Sequence, residues 1–105
     1  MDAVYAIVMT TCDEAANAKT IAKSLVERRL AACVQIFPME SIYMWEGKVN
    51  EAAEFMLFCK IKRADYPDVE AAIRELHSYK VPEVIEVPIE NGFADYLGWI
   101  SSVTR

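Results

Sequence analysis

The chain has 105 residues, of which 54% are hydrophobic and 26% charged, with only three glycines and four prolines. That composition excludes disordered and low-complexity chains, and the length fits a single domain spanning 1–105. A net charge of -5, with Lys and Arg scattered rather than clustered, repels phosphate backbones and anionic lipid; neither nucleic acid nor a membrane surface is expected as a partner.

The N-terminus carries an acidic second residue, Asp2, and one short apolar run, without the basic flank and small-residue cleavage site of a secretory signal. No stretch approaches the roughly 18 apolar residues that span a bilayer. A cytoplasmic chain is expected. The three cysteines, Cys12, Cys33 and Cys59, form an odd set with long spacings, which fits reduced thiols better than a disulfide frame or a zinc knuckle.

Residues 3 to 10, Ala-Val-Tyr-Ala-Ile-Val-Met-Thr, read as a buried strand. Thr11 and Glu14 have the spacing of a capping box, with Asp13 as a competing cap, so a helix is expected to begin near Asp13. Ala18, Ile21, Ala22 and Leu25 form its apolar stripe, and Arg28 and Arg29 suit its negative end.

From Ala32 the period becomes two, with Ala32, Val34 and Ile36 on one side and Cys33, Gln35 and Phe37 on the other. Pro38 cannot donate to a ladder, so it predicts a bulge or an exposed edge before the strand resumes toward Trp45. Glu46-Gly47 is the expected reversal, and a second arm follows from Lys48. Asp65 as a cap and Pro67 in the first turn predict a second helix. Its stripe is Val69, Ala72, Ile73 and Leu76. A strand over Val84 to Pro88 and a short terminal helix carrying Tyr96, Leu97, Trp99 and Ile100 complete the chain.

This order predicts an α+β fold of the ferredoxin-like, split-βαβ type, with a long β-hairpin and a C-terminal helix. Two arms of about 14 residues reach roughly 45 Å, whereas the first helix covers roughly 25 Å. The hairpin overhangs its own cover. Identical neighbours that bury Tyr43, Met44 and Trp45 in a closed ring relieve the exposure, so a homo-oligomer is expected. The alternative is a shorter arm, with Pro38 to Ser41 as a loop and the terminal helix folded over the aromatics.

The blocks Arg-Arg-Leu-Ala-Ala-Cys-Val-Gln-Ile-Phe-Pro from Arg28, Ser-Ile-Tyr-Met-Trp-Glu-Gly-Lys-Val from Ser41, Phe-Cys-Lys-Ile-Lys-Arg from Phe58, Glu-Leu-His-Ser-Tyr-Lys-Val-Pro-Glu from Glu75 and Asp-Tyr-Leu-Gly-Trp-Ile from Asp95 resemble, in order, the landmarks of the CutA divalent-cation tolerance family. The resemblance implies a homotrimer akin in architecture to the PII signalling proteins, a role in copper or divalent-metal tolerance, and no catalysis. In relatives described as copper-binding, the ligands are a Cys at the end of the first strand and a His-His pair before the Tyr of H-x-Y-x-x-P-E. Here Met9 and Leu76 stand at two of those places and His77 at the third.

Reduced copper prefers thiolate, thioether and imidazole, which makes His77, Cys12 and Met9 the candidate metal set of a weak site. His77 equally suits a helix end, where its ring can bond exposed carbonyls. Cys33, Tyr43, Trp45, Lys60, Tyr79 and Glu83 are the candidates for a subunit interface or ligand cleft, Lys60 and Glu83 alternatively forming an ion pair. Three other functions compete with metal binding. They are a PII-like small-molecule sensor, a scaffold, and a thiol enzyme using Cys33 with His77.

Overall fold

The computed structural model describes residues 3–105; Met1 and Asp2, part of the N-terminal reading, lie outside them. Strand β1 is Tyr5–Cys12, helix α1 Ala15–Glu27, strand β2 Cys33–Trp45 and strand β3 Lys48–Lys62. A single 3-10 turn over Arg63–Asp65 leads into α2, Tyr66–Leu76, followed by β4, Ile85–Ile89, and α3, Ala94–Val103. The four strands form one antiparallel sheet in the order β2-β3-β1-β4.

Alternation along the strands assigns one face of the sheet to the core. Ala6 and Val8 of β1 and Leu57, Cys59 and Ile61 of β3 are fully buried there. They meet Ala18, Ile21 and Leu25 of α1 and Val69 and Ile73 of α2, and Val34 and Ile36 of β2 join at the margin. Both helical stripes thus pack as their spacing predicts. α3 lies over one end of the opposite face: Ile100 is fully buried, Tyr5 bonds Ser101, and Lys62 Nζ donates to the Arg105 carbonyl at 2.8 Å.

Several local expectations are corrected. β1 runs two residues later than the apolar run implies, so Thr11 belongs to the strand and cannot cap α1; Glu14 takes the N-cap position with no side-chain bond. Asp65 holds the N-cap position of α2 without capping it, because its carboxylate is turned to Arg105 at 3.6 Å. Of the two readings of Pro38, a bulge or an exposed edge, the edge holds. Its register is continuous, Phe37 to Met56, Pro38 to Phe55 and Met39 to Glu54, because β2 is an edge strand and the missing N–H is not needed. The shorter-arm alternative fails for the same reason, since Pro38 to Ser41 are ladder residues.

At the end of α1, Leu30 N–H bonds the Leu25 carbonyl and Arg29 N–H the Val26 carbonyl, the paired bonds of a Schellman motif. Arg29, at φ 60°, holds the left-handed place that glycine usually fills. Glu46 and Gly47, at φ 51° and 74°, form the two-residue reversal with the signs that a type I′ turn requires.

β1 pairs with β3 only from Phe55 to Lys62, so Lys48–Glu54 and the facing half of β2 stand clear as a two-stranded arm, about 23 Å long at 3.3 Å per residue. The arm is poorly covered. Ile42 is 70% exposed, Val49 69%, Met44 65% and Trp45 52%.

Two outcomes follow for the core. Leu57→Ala is expected to cost about 2–5 kcal/mol of unfolding free energy, read by chemical denaturation; a loss well under about 1 kcal/mol would contradict Leu57's place there. Burial also pushes the Cys59 thiol up to about 12, with Cys12 and Cys33 adding to the shift, whereas an exposed thiol titrates near 9.0. Above that value the unfolded chain binds fewer protons than the folded one, so stability falls as pH rises from about 9 towards 12. The drop in denaturation midpoint between about pH 8 and about pH 10.5 is therefore expected to be smaller in Cys59→Ala than in the parent.

Candidate functional site

β4 pairs with β1 only as far as Met9 opposite Ile85, which leaves the backbone edge of Thr10 to Cys12 free of a strand partner on that side. The segment after α2 takes that edge. His77 Nε2–H donates to the Thr11 carbonyl at 2.8 Å, while Tyr79 N–H donates to His77 Nδ1 at 3.0 Å. These two bonds use both ring nitrogens and require the neutral Nε2–H tautomer. Asn17 fastens the same segment to α1, donating to the Leu76 carbonyl at 3.0 Å and accepting from Ser78 N–H at 3.3 Å.

So anchored, the 77–84 segment bends round the end of β1 and faces the arm. A cleft of about 630 Å³ opens between them, lined by Thr11, Ser41, Tyr43, Trp45 and Glu54 on the sheet side and Tyr79 to Val81 and Glu83 on the other. Its depth is set by Glu54, only 8% exposed, which accepts the Tyr79 hydroxyl at 2.8 Å. Burial first, then this bond and the charge of Glu54, hold the Tyr79 phenol well above its usual range, with Asp13 and Tyr43 adding smaller contributions. Glu83, exposed as a residue, still has its carboxyl pushed up by desolvation and then by Glu54. The field inside the cleft is negative, and Lys80 is the one basic residue among those lining it.

Cys12 lies on the helix-facing side of β1, fully buried, with Sγ 3.7 Å from His77 Nε2. Burial, then Asp13 and Glu54, push its thiol up to about 11, so at neutral pH it is a thiol and not a thiolate. The structure therefore joins two of the three candidate metal donors. Met9 is three residues from Cys12 along one strand, an odd separation, and belongs to the opposite face. Among the described residues no three His, Cys, Asp or Glu side chains converge as a metal cluster.

Of the cleft candidates, Tyr43, Trp45, Tyr79 and Glu83 come together. Cys33 and Lys60 do not. They pair with each other at the far end of the β2–β3 ladder, where Lys60 Nζ reaches the Tyr96 hydroxyl at 3.4 Å and lies 5.6 Å from that ring's centre. The alternative of a Lys60–Glu83 ion pair is not met among the described residues, because Lys60 projects toward α3 and Glu83 toward Glu54. Cys33 is likewise too far along the ladder to be activated by His77, which removes the thiol-enzyme geometry.

Glu54 is the residue that sequence reading missed. The signal was present: period two puts it on the face of Met56 and Phe58, so a carboxylate was bound to sit among apolar side chains.

Comparison with known proteins places these features in a family. The CutA1 divalent ion tolerance protein family matches residues 6–103. The divalent-cation tolerance protein CutA of Archaeoglobus fulgidus is 37% identical over 102 residues, covering 97% of this chain and all of that one. Its solved structure, described as a periplasmic divalent cation tolerance protein, superposes with a TM-score of 0.92 over 94% of this chain and 97% of that one. The Thermus thermophilus protein of the same name is 42% identical over 99 residues, 93% of this chain and 96% of that one. CutA1 from a psychrotrophic Shewanella, described as a stable protein, gives 0.94 at 40% identity over 99% and 98% of the two chains. No helix among the described residues is long and apolar enough to cross a membrane. With a family match over nearly its whole length and relatives near two-fifths identity, the chain belongs to the CutA divalent-ion tolerance family.

Proposed function

We propose that this chain is the ferredoxin-like subunit of a PII-like homotrimer that binds divalent cations or copper and contributes to metal tolerance without catalysing a reaction. The uncovered arm carries the assembly. Burying side chains such as Ile42, Met44 and Val49 against identical neighbours is worth about 1.5–3 kcal/mol each, and an isolated two-stranded ribbon has little stability of its own. The family relationship carries the metal role, since the relatives are named for divalent-cation tolerance.

Within one chain, the contact between Cys12 and His77 is the best soft-donor pair for copper. Its chemistry fits a weak site. A bound copper ion would offer a soft Lewis acid to thiolate and imidazole. The protein in turn would have to release the Cys12 proton and move the ring proton from Nε2 to Nδ1, giving up the bonds to the Thr11 carbonyl and from Tyr79 N–H. Affinity therefore rises with pH. Met9, across the sheet, stays outside this pair. We place the protein in the cytoplasm because its three cysteines are free thiols, which a reducing compartment preserves.

Metal-stripped protein titrated with Cu(I) against a chromophoric chelator is expected to take up about one ion per chain, more tightly at pH 8 than at pH 6. Cys12→Ser combined with His77→Ala is expected to remove the uptake, while Met9→Leu leaves it. Retention in the double variant would defeat the ligand choice. Separately, light scattering of the dilute protein is expected to give three times the mass of one chain. A folded, non-aggregating monomer would defeat the trimer.

A further inference from the structure

The cleft beside the arm has a composition that metal binding does not use. Glu54 is more than nine-tenths buried, yet among the described residues no Lys, Arg or His forms an ion pair with it. Tyr79 occupies Oε2; no protein group donates to Oε1, and Glu54 lines the cleft. A buried carboxylate with one hydrogen bond and a second carboxylate nearby is a costly arrangement, and a cation at Oε1 relieves it.

Three aromatic side chains, Tyr43, Trp45 and Tyr79, line the same space. Aromatic faces attract ammonium groups, most strongly where water is excluded. A bare metal ion is a poor match, for it needs several converging hard or soft donors, and a volume of about 630 Å³ is that of a small-molecule site. An anion is opposed by Glu54 and Glu83. Lys80 stands alone on the positive side.

We propose that this cleft binds an organic cation, an alkylammonium group that pairs with Glu54 Oε1 and whose carbon chain lies against Tyr43, Trp45 and Tyr79. The site is separate from the Cys12–His77 pair. Thr11 and Cys12 are neighbours on β1 but alternate in direction, one lining the cleft and the other buried beneath the helices. Alkylammonium binding and copper uptake therefore use different side chains, and the bracket that His77 forms under Tyr79 couples them.

The test uses the assembled protein carrying Trp99→Phe, which leaves Trp45 as the only fluorescent indole. Titration with butylammonium and with tetramethylammonium is expected to change that emission saturably, whereas butanol, similar in size but uncharged, is not. Glu54→Gln is expected to weaken butylammonium binding roughly ten- to hundredfold, the range for loss of a charge-assisted bond. Because Glu54 is buried, Glu83→Gln serves as a second charge variant at an exposed position; its expected effect is a weakening of a few-fold, with copper stoichiometry unchanged. Saturation by butanol equal to that by butylammonium would overturn the proposal, as would unaltered affinity in both Gln variants. A crystal structure of the assembly with a neighbouring subunit's Lys or Arg seated on Glu54 would overturn it as well.

Discussion

Everything distinctive about this molecule follows from a mismatch of length between strands. β3 continues well past the end of β1, and only β2 accompanies it. A four-stranded sheet backed by two helices can bury one face, but a two-stranded extension has no helix above it and no third strand beside it. The backbone pairs are satisfied, so the arm is well formed. What is unsatisfied is its apolar surface, and that surface is offered on both faces: Ile42 and Met44 on one, Tyr43 and Trp45 on the other. Such a ribbon is the surface on which the proposed assembly rests, because another copy would present a ribbon of the same length and character.

The mismatch also creates the cleft. Where β1 stops, the arm and the segment after α2 meet at a corner, and no strand fills it. His77 decides how that corner is built. With its Nε2–H on the Thr11 carbonyl and its Nδ1 under Tyr79 N–H, the imidazole acts as a neutral bracket between the strand end and the loop. Tyr79 is then delivered across the strand end to Glu54. The histidine whose ring is expected either to ligate a metal or to bond exposed carbonyls is here a structural link on the Thr11 carbonyl, and a metal at Nε2 would compete with the bond that shapes the neighbouring cleft.

How much of this the residues disclose depends on whether a feature is local. Helical stripes such as Val69, Ala72 and Ile73 and the reversal at Glu46-Gly47 were readable because each rests on spacing or dihedral sign within a few residues. The overhang was readable because it is an argument about length. The capping box at Thr11 and Glu14 misled, since four residues cannot show that Thr11 is claimed by a strand whose partners are over forty positions away. Lys60 and Glu83 misled for the same reason: their opposite charges imply a pair, while the register sends Lys60 toward Tyr96. Glu54 lay in between. Its face was fixed by alternation, but its partner, Tyr79, is a tertiary fact.

The charge placement in the cleft bears on what kind of protein this is. Burial alone makes an ionised carboxylate expensive, and the usual remedies are an ion pair, a dense set of donors or protonation. Glu54 has a single phenol hydroxyl, from a Tyr whose titration is displaced upward by burial and then by this contact, and Glu83 is pushed up by desolvation and then by the charge of Glu54. An arrangement that strains several groups at once to keep a negative charge at the floor of an aromatic-walled hollow contributes little to folding that an apolar residue would not supply better. Its retention at the seam between arm and loop is accounted for when the missing positive charge arrives from outside the chain. In the proposed trimer the same seam is where the arm would meet its neighbours, so a cation lodged there would lie against the joint between subunits.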